Sequence, residues 1–260
     1  MIKKSTAGQK MKAIILAAGK GTRMGDLTKS IPKPMLSVFG KPILEHIIMG
    51  IADAGIKEIF IVVGHRSEII TNYFGDGSKW GLTIAYGEQT VQDGTGKAPE
   101  IARDFIGGSP FLLTYGDILV KPETYTKMVQ RHAKTDSPNL LTVVAGKDVT
   151  KGGVIFFDQD FNMKRLVEKP SLAQLEELKR EGLITEGDTV WYNAGIYIFE
   201  PHIFEFTRQL VKSPRGEYEL TDAIAMLVNA KHGVAGMEIE GRWVDVRDPE
   251  VLAQLMGETY

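Results

Sequence analysis

The sequence predicts an α/β fold, a mostly parallel sheet with helices on both faces. Three observations point there. Strand-like apolar runs alternate along the chain with segments of helical periodicity. The first run, Lys12-Ala-Ile-Ile-Leu-Ala17, is continuously apolar after its lysine, as a strand covered on both sides would be. With 260 residues, 43% of them hydrophobic, the chain can bury a sizeable core, and its 28 glycines and 11 prolines suit a loop-rich α/β domain.

The expected strands, in order, are Lys12 to Ala17, Glu58 to Val63, Leu82 to Tyr86, Phe111 to Tyr115, Leu140 to Ala145, Val154 to Phe157, Ala194 to Phe199 and Ala235 to Ile239. Helices fill the gaps. Pro42 to Ala54 carries Ile43, Ile47, Ile51 and Ala54 at helical spacing, and Gly55 stops it. Ser171 with Gln174 forms a capping box that opens a helix over Leu172 to Glu181. Thr221 is expected to cap the helix that follows Gly216, and Asp248 the last one, with Pro249 at its first position. There is no internal repeat, low-complexity tract or linker.

Composition excludes several function classes. A net charge of −2 and an isoelectric point near 6.2 argue against a nucleic-acid partner, while leaving room for a local basic pocket. The absence of cysteine removes disulfides, thiolate zinc sites and a cysteine nucleophile. The apolar run after the basic start is too short for a signal peptide, and no stretch approaches the roughly 20 apolar residues that span a bilayer. The expectation is a soluble cytoplasmic protein without a membrane partner, its residues 1–10 a flexible tail.

The chemistry begins directly after the first strand, in Ala18-Gly-Lys-Gly-Thr-Arg-Met24. Gly19 and Gly21 lack the Cβ that would forbid positive φ or block a ligand, so backbone amides there can turn onto phosphate oxygens. Arg23 and Lys33 add cationic charge. The two prolines around Lys33, in Ile31-Pro-Lys-Pro-Met35, are expected to hold its backbone extended. A dinucleotide turn would need a third glycine where Met24 stands, and no Walker A string exists in the chain.

Other candidates lie downstream. Asp117, in Thr114-Tyr-Gly-Asp117, follows a strand end, where carboxylates face the crevice of open α/β sheets, although an ordinary turn aspartate would look the same. Asp245 sits in the apolar frame Trp243-Val-Asp-Val246, where an unpaired charge would be costly, so it needs a cation. Glu168-Lys169-Pro170 ends a strand at a proline, and taken alone is as consistent with a solvated strand end as with a site. The five histidines are scattered and receive no catalytic role.

Leu16-Ala-Ala-Gly-Lys-Gly-Thr-Arg-Met24 followed by Pro32-Lys-Pro-Met35 resembles the paired motif of the sugar-1-phosphate nucleotidyltransferases, also called nucleotide-sugar pyrophosphorylases. The first string is most similar to that of the uridylyltransferase acting on N-acetylglucosamine 1-phosphate. The resemblance runs from Met11 to about Pro249, so it implies one α/β/α catalytic domain over residues 11–260 with a mixed, mainly parallel sheet. A nucleotide-binding half, about 11–150, is expected to precede a sugar-phosphate half, about 151–260.

The resemblance also implies roles. Leu16, Ala18, Gly19, Lys20, Gly21, Thr22, Arg23 and Lys33 would bind the nucleotide; Asp117 and Asp245 would hold Mg2+. Gly153, Glu168, Lys169, Asn193 and Gly195 would bind the sugar phosphate, with Lys169 on its phosphate. Gln89, Gly94 and Thr95 belong to a loop that resembles the one with which uridylyl- and thymidylyltransferases read a pyrimidine; Gln92 is a second candidate there. The family's usual glycine-threonine after the second carboxylate is replaced by Arg247-Asp248.

The implied reaction joins a nucleoside triphosphate, UTP or dTTP favoured, to a sugar 1-phosphate and releases pyrophosphate. Arg23, Lys33, Asp117, Lys169 and Asp245 would carry it by positioning and electrostatics. A cytidylyltransferase acting on a sugar or alcohol phosphate, or a catalytically silent nucleotide-sensing homologue, are the alternatives. A glycosyltransferase would show an Asp-x-Asp motif where this chain has Tyr115-Gly-Asp117. The left-handed β-helix that some relatives append is not expected, and oligomeric state is left open, a homo-oligomer included.

Overall fold

The computed structural model describes residues 10–146, 153–168, 170–183 and 189–257. The expected N-terminal tail and Lys169 lie outside the described residues, apart from Lys10 at the tail's end. The strands are β1 (Lys12–Leu16), β2 (Ser37–Val38), β3 (Lys41–Pro42), β4 (Glu58–Val63), β5 (Thr83–Glu88), β6 (Phe111–Tyr115), β7 (Ile118–Val120), β8 (Asn139–Gly146), β9 (Gly153–Phe157), β10 (Met163–Glu168), β11 (Val190–Phe199), β12 (Val234–Glu238) and β13 (Trp243–Asp245). The α-helices are α1 (Ile43–Asp53), α2 (Ser67–Phe74), α3 (Arg103–Ile106), α4 (Glu123–Lys134), α5 (Leu172–Arg180), α6 (Ile203–Thr207), α7 (Leu220–Asn229) and α8 (Pro249–Met256).

Among the described residues, nine strands form one sheet in the order β10-β9-β11-β6-β1-β4-β5, with β8 paired to β11 and β12 to β8. β1, β4, β5 and β6 are mutually parallel, and only β10 and β11 run against the rest. The apolar run of β1 has a simple cause. Ala13 and Ile15 enter one core cluster while Ile14 and Leu16 enter the other, so both faces of the strand are buried. The first cluster is closed by α1, α2, α4 and α8, the second by α3, α6 and α7. A smaller cluster packs Leu175 and Leu178 of α5 on Val154 and Phe156 of β9.

Several boundaries follow the sequence closely. α1 buries Ile43, Ile47 and Ile51, and the chain turns at Gly55 with φ of 87°. Ser171 and Gln174 complete the capping box. β11 is longer than expected, beginning at Val190, because its first residues pair with β8 and β9 before the strand reaches β6. β5 is shifted toward Glu88 and β12 begins at Val234, each following the register of its parallel neighbour. Thr221 is not a cap: α7 starts at Leu220 with Glu219 before it, so Thr221 lies inside the first turn.

The order of connections positions the crevice. The chain goes from β1 outward through β4 to β5, then returns to place β6 on the other side of β1. At this reversal the segments leaving β1 and β6 diverge, which opens a cleft at the carboxyl ends of the strands. Gly116 N donates to Leu16 O at 2.8 Å and Ala17 N to Val62 O at 2.8 Å, tying the three strand ends together just below it.

Asp248 caps α8 as expected, its carboxylate accepting from Val251 N at 3.0 Å. Asp248→Ala should cost about 1 kcal/mol and lower Tm by roughly 2 to 4 °C, whereas Asp248→Asn should retain most of the stability. Thermal melts of both variants check this; an unchanged Tm for the alanine variant would refute the cap's contribution.

Candidate active site

The loop leaving β1 is shaped by Gly21. Its φ of 64° lies in the left-handed region, and a Cβ there would press on Lys33 Cβ and Thr28 Cγ2, both at 3.1 Å. Thr28 Oγ1 donates to Gly21 O at 2.9 Å, closing the 3₁₀ segment Thr22–Thr28 beneath the loop. Met24, in the position where a dinucleotide turn would carry glycine, is 1% exposed and anchors the segment in the core. Leu16 and Ala18 are also buried, whereas Gly19, Lys20, Thr22 and Arg23 are exposed on the rim.

Lys33 differs from expectation. Its backbone is not extended but begins a 3₁₀ turn over Lys33–Met35, in which Met35 N donates to Pro32 O at 2.8 Å. The residues that bracket the turn, Pro32 and Leu36, are extended. The turn brings the ammonium group onto the Asp117 carboxylate in a largely buried ion pair.

Asp117 and Asp245, 128 positions apart, meet through backbone pairing. Asp117 follows Gly116 in the turn between β6 and β7, and β7 pairs antiparallel with β13 so that Asp245 stands opposite Ile118. Val246 N donates to Asp117 O at 3.0 Å, locking the register. Arg247 Nε lies 3.8 Å from Asp245 Oδ2. Trp243 Nε1 donates to Ala194 O at 2.9 Å and fastens the same short strand to β11. Among the described residues no group of three or more carboxylates, histidines or cysteines that could hold a metal ion forms.

Across the cleft, Glu168 ends β10 opposite Gly153 at the start of β9. A Cβ on Gly153 would come within 2.8 Å of Glu168 Oε2, so glycine leaves room for that carboxylate. Asn193 lies where the β11–β8 register shifts; its Oδ1 accepts from Gly195 N at 3.1 Å and its Nδ2 donates to the Tyr197 hydroxyl at 2.7 Å.

The loop after β5 is held from within and from outside. Gln89 Nε2 donates to Gly94 O at 3.1 Å. Gly94 adopts φ of 116° and runs against Tyr218 so closely that a Cβ would strike that residue's backbone. Tyr218 N donates to Asp93 O and accepts, at its carbonyl, from Gly96 N, both at 2.7 Å. The segment before α7 therefore serves as a backing strip for this loop.

These parts surround one cleft of about 870 Å³. Of the candidates from sequence, Arg23, Thr95, Asp117, Gly153, Glu168, Asn193, Gly195 and Asp245 line it, and Lys33 reaches it through Asp117. Gln89 and Gly94 stand behind Thr95 in the same loop. Sequence reasoning missed Tyr115, Tyr192, Glu219 and Thr221 in the wall. Thr221 carried only the signal of a helix cap, whereas Tyr115 adjoins Gly116-Asp117.

Electrostatically, the Asp245 carboxyl is pushed above the usual carboxylate range, first by burial and then by the charge of Asp117, against the pull of Lys33, Arg247 and Arg23. The folded site thus binds a proton more tightly than the unfolded chain, and ionising Asp245 weakens the fold as pH rises from the ordinary carboxylate range through the raised value. In metal-free buffer Asp245→Asn should melt at least as high as wild type at pH 7, the difference closing below about pH 4. A variant melting several degrees lower at pH 7 would show that the basic neighbours dominate instead.

Comparison with known proteins agrees with this architecture. Residues 12–258 match the family model described as nucleotidyl transferase. Bifunctional protein GlmU of Methanococcus aeolicus is 40% identical over 239 residues, covering 92% of this chain and 52% of its own length. UTP–glucose-1-phosphate uridylyltransferase AglF of Haloferax volcanii is 32% identical, covering 92% of this chain and 93% of its own. The chain thus spans about half the length of the GlmU relatives and nearly all of AglF. A solved UDP-glucose pyrophosphorylase complexed with UDP-glucose superposes with a TM-score of 0.81 at 22% identity, over 95% of this chain and 97% of the other, which establishes the shared fold. The chain belongs to the nucleotidyl transferase family.

Proposed function

We propose that the chain transfers a nucleotidyl group from UTP or dTTP to a sugar 1-phosphate, releasing pyrophosphate. The observation that carries this reading is the convergence of Arg23, Lys33, Asp117 and Asp245 at one end of a cleft whose other wall holds Glu168, Asn193 and Gly195. Cations and carboxylates side by side suit a polyphosphate and its metal. A wall of amide, carboxylate and glycine suits a polyhydroxylated ring. The uridylyltransferase activity in the name of AglF supports the same reading.

The chemistry needs no nucleophilic side chain. An oxygen of the sugar phosphate, already anionic near neutral pH, attacks the α-phosphorus; a new P–O bond forms, and the bond from that phosphorus to the β-phosphate bridge breaks in line. Arg23 and Lys33 neutralise the triphosphate and the leaving pyrophosphate, and Lys169 anchors the attacking phosphate. Asp117 and Asp245 fit Mg2+, a hard ion that takes its remaining ligands from phosphates and water; it would supply charge neutralisation at the phosphate oxygens. Gln89 gives its amide N–H to Gly94 O, which leaves Oε1 as an acceptor suited to the N3–H of uracil or thymine and unsuited to cytosine, whose N3 is itself an acceptor.

A pyrophosphate-release assay with the four ribonucleoside triphosphates and dTTP against a panel of sugar 1-phosphates tests the proposal. UTP or dTTP should exceed CTP and the purine triphosphates in kcat/KM. A tenfold preference for another base, about 1.4 kcal/mol, would refute the base assignment, and no release with any pair would refute the transferase. Asp117→Asn should abolish turnover at saturating Mg2+ while melting as a folded protein, a loss on the order of several kcal/mol in the barrier. Near-normal activity of that variant would remove Asp117 from the site.

A further inference from the structure

Arg247 stands where the family pattern has glycine, and the reaction as described gives it no task. Its backbone is fixed from both sides. Val246 is fully buried and donates its N–H to Asp117 O at 3.0 Å, Arg247 N donates to Asp245 O at 2.9 Å, and Asp248 is committed to capping α8. The side chain therefore starts from a rigid point beside the carboxylate pair.

Its head group, by contrast, is unspent. Arg247 Nε lies 3.8 Å from Asp245 Oδ2, too far for a hydrogen bond, and among the described residues no other group accepts from any of its five donors. The side chain is 43% exposed and lines the cleft. So loose and wet an ion pair adds little to stability. An arginine that contributes little to the fold, yet faces a cleft next to two carboxylates, is placed for an anion arriving from solution.

Which anion follows from the segment that carries it. Arg23 and Lys33 belong to the 3₁₀ segments after β1, on the side assigned to the triphosphate. Arg247 follows β13, which the Trp243 indole fastens to Ala194 O at 2.9 Å, between Asn193 and Gly195 of the wall assigned to the sugar. Asp245 thus draws cationic charge from two separate segments. Transfer requires two anionic phosphates to approach each other, and a fork of donors beside the carboxylates offsets their repulsion from the acceptor's side.

Resting on the function proposed above, we infer that Arg247 is a further substrate-binding residue, its guanidinium taking oxygens of the acceptor's phosphate group beside Asp117 and Asp245. It gives up the loose contact with Asp245 when that phosphate enters. A glycine at this position offers no such donors, so the contact is additional to the one assigned to Lys169.

Steady-state kinetics of pyrophosphate release test this, with glucose 1-phosphate or N-acetylglucosamine 1-phosphate varied at saturating UTP and Mg2+, and then UTP varied at saturating sugar phosphate. Arg247→Ala should raise the sugar-phosphate KM by about tenfold or more, the loss of one charge-assisted pair, while the KM for UTP stays within about twofold of wild type. Arg247→Lys keeps the charge without the fork and should fall between the two. The Mg2+ concentration for half-maximal rate should not rise in Arg247→Ala, because a cation beside Asp245 has been removed, and thermal melts should match wild type. An unchanged sugar-phosphate KM in the folded alanine variant would overturn the inference. So would a higher Mg2+ requirement as the sole change, the mark of an arginine that only orders Asp245, or a rise confined to the KM for UTP. Wild-type protein that releases no pyrophosphate with any sugar 1-phosphate would instead count against the proposed function, and this inference would fall with it.

Discussion

The pairing of β7 with β13 is the constraint on which the cleft depends. It brings together two carboxylates that repel each other, and it does so with backbone hydrogen bonds, which neither charge can escape by changing rotamer. The strand is short, only Trp243–Asp245, and is reinforced from the side by the Trp243 indole on Ala194 O. Beyond it, the capped start of α8 fixes the turn that carries Arg247. The energy to hold the unfavourable pair comes from the two core clusters on either face of the sheet.

What was legible in the sequence follows from range. Elements whose cause is local could be read: the apolar run of β1, the face of α1 and its stop at Gly55, the capping box at Ser171 and the cap at Asp248. The glycine-rich loop and the carboxylate after β6 were legible for the same reason, since a turn beside a buried strand end has a pattern of its own. The family resemblance extended this to Asp245 and to Gly153, Glu168, Asn193 and Gly195, which line the same cleft.

The rest was not local. Flanking prolines constrain the backbone around Lys33 without deciding between an extended and a 3₁₀ conformation, and the ion pair with Asp117 lies 84 positions away. Thr221 looked like a cap, but the chain before α7 is fixed by Tyr218 against Gly94, and the helix begins two residues early, at Leu220. β7 and β13, at three residues each, are too short to show a period. Tyr115 stands at the end of an expected strand, and nothing local in the sequence tells that it will form part of the cleft wall.

The length of β11 carries a mechanical consequence. Over ten residues it is bonded to β6 on one side and to β8 and β9 elsewhere along its length, so one continuous backbone runs from β6, which leads into Asp117, to β9, which faces Glu168. A hinge between the walls would have to shear that ladder and break several hydrogen bonds at once. The cleft is therefore a fixed jaw. Whatever adjustment a substrate requires falls to the loops at its mouth and to side-chain rotamers, and the distance between the two walls is a property of the sheet itself.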